Sequence, residues 1–345
     1  MSEEQFKMLT EIKQVPAVLE KLLDVETPHM KAIATQIKQY NPAFAVLSGR
    51  GSSDNACVYG QYVLELLDDL PCSLSTGSIY TLYKNPPHIA NALVLGVSQS
   101  GETDDVCETI KLANKEGSIT MAVTNNPEST LFKLAGDNAV YMQAGKEESV
   151  CATKSFTASL AAFLMLANEL SNKNINTSAI IDVTQHVIEQ EEQIASLASH
   201  YTFASNLVVL GTGLSYSAAL ETALKLKESC YISAWGMSSV DFLHGPVAIA
   251  SNMFPIIVLA PNDETLQVSL NVINRVKQVG AHVLVISDSE DALKLGDLAF
   301  TLPHMENYLY PFSEVTFAQL FAFHLARLRN INPDAPRYLS KVTQV

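Results

Sequence analysis

With 345 residues, 48% of them hydrophobic, the chain is long enough to form two domains, each with its own core. Its formal net charge of -14 excludes the clustered lysines and arginines that a nucleic-acid backbone needs, so no nucleic-acid partner is expected. No uncharged apolar run approaches the roughly 18 residues of a membrane span, and the opening "MSEEQFK" has no basic segment leading into an apolar one; the expectation is a cytoplasmic protein without a membrane partner.

In chain order, buried strands are predicted at "FAVLSG" (Phe44 to Gly49), "ALVLGVS" (Ala92 to Ser98), "ITMAVT" (Ile119 to Thr124) and "AVYMQA" (Ala139 to Ala144), with helix-length segments from Asn55 to Asp68 and from Glu102 to Glu116. Such alternation implies parallel strands joined by crossover helices, an α/β fold. The order returns at "LVVLGTG" (Leu207 to Gly213), "PIIVLA" (Pro255 to Ala260), "HVLVIS" (His282 to Ser287) and "LAFTLP" (Leu298 to Pro303). Gly49 and Gly211 differ by 162 positions, as do Glu102 and Glu264. One strand-glycine-helix match recurs in any α/β protein, but two blocks at one offset point to an internal duplication, with its boundary in the polar helical stretch from Asn172 to Ser205. No CxxC pair links the five cysteines and no two histidines stand three or four apart, so neither a metal nor a cofactor is predicted.

The copies differ at one junction, where "VSQSGET" in the first half stands opposite "LAPNDET" in the second. In a parallel sheet, ligands bind at the carboxyl ends of strands, where Ser98, Gln99, Ser100 and Thr103 would lie. Gly101 would let the backbone approach an anion, and the first N–H groups of the following helix would face it. Simple helix capping by Ser98 or Ser100 is the competing reading, although a cap needs only one hydroxyl. A second turn, "SGRGSSDN" (Ser48 to Asn55), could add Ser52 and Ser53. It has neither a Walker lysine nor a full GxGxxG spacing.

These motifs, with "EIKQVPAVL", "EESVCATKSFT", "ALKLKES", "LHGPVAI" and the tail "DAPRYLSKV", resemble the sugar isomerase (SIS) domain in tandem, as in the isomerase part of glucosamine-6-phosphate synthase. The resemblance spans essentially the whole chain. It implies two tandem SIS domains, each a parallel β-sheet flanked by α-helices in a three-layer, flavodoxin-like sandwich. Residues 1–190 would carry the phosphate loops, and residues 191–345 the catalytic groups and an active-site tail. It implies further that Ser53, Ser98, Gln99, Ser100 and Thr103 take a sugar phosphate and that Val150 and Ala152 line the sugar. Glu228 would move a proton between C1 and C2, His244 would open the ring, and Lys341 would close over the open chain, with Lys225 assisting. A homodimer is implied, with His244 reaching the neighbouring subunit's site.

Read alone, each of these residues has a plainer role. Glu221, Lys225 and Glu228 fall at i, i+4 and i+7 and could be a solvated ion-pair row. His244 precedes a Gly-Pro turn, and Lys341 lies near a chain end. The synthases place a glutaminase, with a cysteine after the initiator methionine, ahead of the tandem; here Ser2 stands there and no such segment is expected. The resulting expectation is a deaminase/isomerase converting glucosamine 6-phosphate to fructose 6-phosphate and ammonia. Alternatives are a fructosamine-6-phosphate deglycase, a galactosamine-6-phosphate deaminase and a non-catalytic sugar-phosphate sensor. Two departures from the family pattern stand out: Ala152 in place of a serine, and Trp235-Gly236-Met237 before the histidine.

Overall fold

The computed structural model describes residues 6–171 and 173–341; Ser2 and Asn172 lie outside them. Helices α1 (Lys7–Lys13) and α2 (Val15–Tyr40) precede β1 (Phe44–Ser48), α3 (Ser52–Asp68), β2 (Cys72–Leu74), α4 (Gly77–Thr81), β3 (Ala92–Ser98), α5 (Asp104–Glu116), β4 (Ile119–Thr124), α6 (Thr130–Ala135), β5 (Ala139–Tyr141) and α7 (Lys154–Ser171). Then follow α8 (Ala179–Ile188), α9 (Glu191–Ser199), β6 (Asn206–Leu210), α10 (Ser215–Cys230), β7 (Ser233–Met237), α11 (Ser239–Leu243), β8 (Pro255–Leu259), α12 (Leu266–Lys277), β9 (His282–Ser287), α13 (Glu290–Leu293), β10 (Leu298–Thr301) and α14 (Tyr310–Leu328).

Two five-stranded sheets result, ordered β2-β1-β3-β4-β5 and β7-β6-β8-β9-β10, and every pairing is parallel. Numbered within its own half, each sheet has the order 2-1-3-4-5 of flavodoxin-like folds. The predicted α/β class and the duplication both stand. Strands β2 and β7, which the sequence reading missed, lie at sheet edges, where "CSL" and "SAWGM" are only partly buried and carry no apolar run. The central strand β3 is buried along its whole length, as its unbroken hydrophobic run requires.

The compact units are not consecutive in sequence. One contains residues 16–147 and 154–181 with the first sheet; the other contains 1–15, 148–153 and 182–345 with the second. Val46, Val94, Val106, Ile110 and Leu131 fill one face of the first sheet, and Val208, Ile256, Val258, Val272 and Ile273 do the same in the second unit. In the first-sheet unit α3 packs against α7 at Gly60. A Cβ added there would lie 2.3 Å from Cε1 of Phe163, a ring only 1% exposed and with no room to withdraw. Gly60→Ala is therefore expected to destabilise the protein by about 1–3 kcal/mol, because overpacking outweighs the roughly 1 kcal/mol that alanine gains in helix propensity. A lowered denaturant midpoint at unchanged slope is the measurement that checks it.

Candidate active site

At the carboxyl ends of β1 and β3, two loops bring the predicted hydroxyls into one unit. The Ser98 hydroxyl is within 2.9 Å of the Thr103 hydroxyl and accepts from the Gly101 N–H at 3.1 Å; the Ser100 hydroxyl accepts from the Glu102 N–H at 3.3 Å. None of them caps α5, whose N-cap, Thr103, makes no side-chain cap bond. The capping reading thus fails here. The main-chain N–H groups of Asp104 and Asp105, at the start of α5, have no hydrogen-bond partner among the described residues. Such groups are ready donors for an anion.

Gly101 has a packing reason as well as the expected one. Its φ is +69°, and a Cβ there would overlap the Ser129 hydroxyl at 2.1 Å. Ser52 and Ser53, both half-buried, open α3 just after Gly51. Gln99 and Ser100, just past the end of β3, are half-buried as well.

The second unit holds the other predicted residues. Along α10, Glu221 and Lys225 have no exposed side-chain surface, while Glu228 keeps 22%. The Lys225 ammonium lies 3.3 Å from Oε1 of Glu221 and 2.7 Å from Oε2 of Glu228. A solvated ion-pair row is excluded, because two of its three members are out of water. Burial alone would lower the Lys225 pKa, but the two carboxylates outweigh it and hold the ammonium above the ordinary lysine value. Glu228 opens onto a cleft of about 370 Å³ walled by Tyr231, Ser233, Arg337 and Leu339.

Around this row, the segment Glu148 to Thr153 is pinned in place. The buried Glu11 carboxylate accepts from the main-chain N–H of Glu148 and, at 3.2 Å, from that of Ser149, and Gln319 donates to the Thr153 carbonyl at 3.2 Å. The half-buried Val150 and Ala152 flank Cys151, which is 1% exposed. Burial pushes the Cys151 thiol up to about 12, Lys225 opposes the shift, and the negative charge of Glu228 adds to it. Lys341 donates to the Ser149 carbonyl at 2.7 Å, and the Arg337 guanidinium stacks 4.2 Å above the Tyr231 ring. His244 is exposed at the end of α11, and among the described residues its ring has no hydrogen-bond partner. The sequence reading missed Glu11, which no local signal marks, and Cys151, which sits between two residues it singled out. Among the described residues no three metal-ligating side chains converge.

A match to the SIS domain covers residues 41–169 and 200–329. The chain belongs to the SIS domain family. It is 30% identical over 351 residues to a glutamine–fructose-6-phosphate aminotransferase (isomerizing) of Thermococcus kodakarensis, covering 98% of this chain and 58% of that protein. The corresponding protein of Escherichia coli is 32% identical over 309 residues, 86% of this chain and 50% of the other, so the chain spans about half the length of these relatives. The C-terminal domain of glucosamine-fructose-6-phosphate aminotransferase from Francisella tularensis superposes with a TM-score of 0.84 at 25% identity, covering 97% of this chain and 100% of that one. The glucosamine-6-phosphate deaminase of Thermotoga maritima shares the fold, with a TM-score of 0.76 at 21% identity over 97% of this chain and 98% of its own.

The duplicated crevice of this SIS protein has gone the opposite way in the second sheet. Ser215, the counterpart of Ser53 at the offset of 162, donates to Oε1 of Glu314 at 2.7 Å, so the chain's own carboxyl takes the hydroxyl. Asp263 stands where the first half has Gly101, and Asp288 follows β9 as Asn125 follows β4. Burial pushes the Glu314 carboxyl up to about 8, against the Ser215 bond and with added repulsion from Asp263 and Asp288. The Ser215 hydroxyl is thus committed to Glu314.

A carboxyl whose folded pKa lies above its unfolded value holds an extra proton in the folded state, so stability falls as pH rises from the ordinary glutamate range to about 8. Glu314→Gln carries no charge at any pH and is expected to flatten that part of the profile. Urea midpoints compared between about pH 5 and about pH 9 would reveal it.

Proposed function

We propose that the chain is an amino-sugar-phosphate deaminase/isomerase that converts glucosamine 6-phosphate and water to fructose 6-phosphate and ammonia. The observation that carries this reading is the α10 row, in which a fully buried lysine holds a single partly exposed carboxylate, Glu228, at a cleft. The hydroxyl and N–H groups at the ends of β1 and β3 supply neutral donors for a phosphoryl group without a metal-like charge.

In this mechanism Ser52, Ser53, Ser98, Gln99, Ser100 and Thr103 bind the phosphoryl group, and Val150 and Ala152 line the sugar. His244 passes a proton between the ring oxygen and the anomeric hydroxyl, opening the ring to the aldehyde. Glu228 then takes the proton from C2 while a water proton goes to the carbonyl oxygen at C1, giving an enolamine, and returns its proton to C1. The C2 nitrogen gives one proton back to water, so the product is a neutral C2 imine. Water adds to C2, the C–N bond breaks, and ammonia leaves with the ketose phosphate behind. Lys225 holds the Glu228 carboxylate in place. Lys341, carried on the tail, supplies positive charge to the oxygen at C1 during proton transfer. The hydrolytic direction needs only water as co-reactant, which one site can provide. Fructosamine 6-phosphates and galactosamine 6-phosphate are the comparison substrates.

Ammonia release from glucosamine 6-phosphate, measured with glutamine absent, tests the assignment; a preparation that binds the sugar but frees no ammonia overturns it. Glu228→Gln is expected to lower kcat by about 10²- to 10⁴-fold while fructose 6-phosphate affinity stays within a few-fold.

A further inference from the structure

We propose that Arg50 is an additional phosphate-binding residue, which exchanges a bond to Asp105 for one to the sugar phosphate. The inference rests on the phosphate-cradle reading above and extends it. Among residues 48–55 and 98–105, the two loops of the cradle, Arg50 is the only lysine or arginine. It sits between Gly49 and Gly51, the latter at a φ of +57°, in the turn that joins β1 to α3.

From that turn its side chain reaches the first turn of α5 and so spans both loops. Nε donates to Oδ2 of Asp105 at 2.7 Å, and Nη2 makes a close contact with the same oxygen. Nη1 has no partner among the described residues, and the side chain is half exposed. Gly77, at the start of α4, walls the pair: a Cβ there would lie 2.6 Å from Nη2 of Arg50 and 2.7 Å from Oδ2 of Asp105. The arginine is therefore held at the edge of the cradle with one nitrogen uncommitted.

Charge gives the exchange its direction. A dianion entering these loops meets the carboxylates of Asp54, Glu102, Asp104 and Asp105, all within the same two segments. A guanidinium bonds a phosphate dianion in a bidentate fork more strongly than it bonds a single carboxylate oxygen. Asp105 is not left bare when Arg50 departs. Its Oδ1 accepts from the Thr81 hydroxyl at 2.6 Å, and the bonds from Thr81 and Arg50 overcome burial to hold its carboxyl below the usual aspartate range. Asp105 thus acts as a competitor for the arginine.

A purely structural ion pair and a competitive one predict opposite signs for removal of the aspartate charge. In calorimetric titrations of the full chain with fructose 6-phosphate, Arg50→Gln is expected to raise Kd by about 10- to 100-fold. Asp105→Asn, which keeps the shape and the Thr81 contact but frees the guanidinium, is expected to lower Kd by about threefold or more. Arg50→Lys should recover part of the lost affinity, since it restores a point charge without the fork. Unfolding midpoints of the three variants show whether each is folded at the titration temperature. Weakened or unchanged binding in a folded Asp105→Asn variant overturns the role of Arg50 while leaving the cradle intact. Failure of the unaltered protein to bind any hexose 6-phosphate overturns the cradle reading and this inference with it.

Discussion

A lysine with no exposed surface stays charged only if carboxylates compensate for the lost water, and Lys225 has two of them one helical turn away on either side. That constraint organises the second unit. Glu221 is spent entirely on neutralisation, because it is as buried as the lysine. Glu228 is the member of the row that keeps an exposed face, so the lysine's charge orients a carboxylate that solvent and a ligand can reach. In the same unit, Glu11 pins the main chain of Glu148 and Ser149, next to Cys151. A buried ion network of this kind adds little net stability but fixes geometry.

Duplication gave the chain two crevices of one design and divergence gave them different side chains. In the first, hydroxyl side chains and uncapped N–H groups lie at the ends of β1 and β3, with Arg50 paired to Asp105. In the second, Ser215 bonds Glu314, whose carboxyl is pushed up chiefly by burial, with smaller repulsion from Asp263 and Asp288. The same strand order therefore carries two different sets of side chains at its crevices. The difference rests on a handful of side chains within loops of equal position, not on the fold.

The tandem architecture was legible because apolar strand runs and glycines repeat at a fixed offset, and eight of the ten strands are such runs. The two that escaped, β2 and β7, lie at sheet edges, where partial burial removes the hydrophobic signal. The site was legible in part. Spacing alone placed Glu221, Lys225 and Glu228 on one helix face, yet the same spacing describes a solvated surface row; only burial separates the two. Likewise the hydroxyl cluster suited a helix cap as well as an anion, and only the structure shows that no hydroxyl caps α5 and that the N–H groups of Asp104 and Asp105 have no partner among the described residues.

By itself the sequence determined the fold class, the duplication and the residue types available for proton transfer and phosphate binding, since periodicity and local spacing are properties of the chain in one dimension. Tertiary structure alone decided which of those groups lose water and which gain distant partners. Glu11 meets Ser149 across 138 residues, Glu314 meets Ser215 across 99, and Arg50 meets Asp105 across 55. Desolvation and long-range pairing depend on how the chain packs in three dimensions, and no local pattern encodes them.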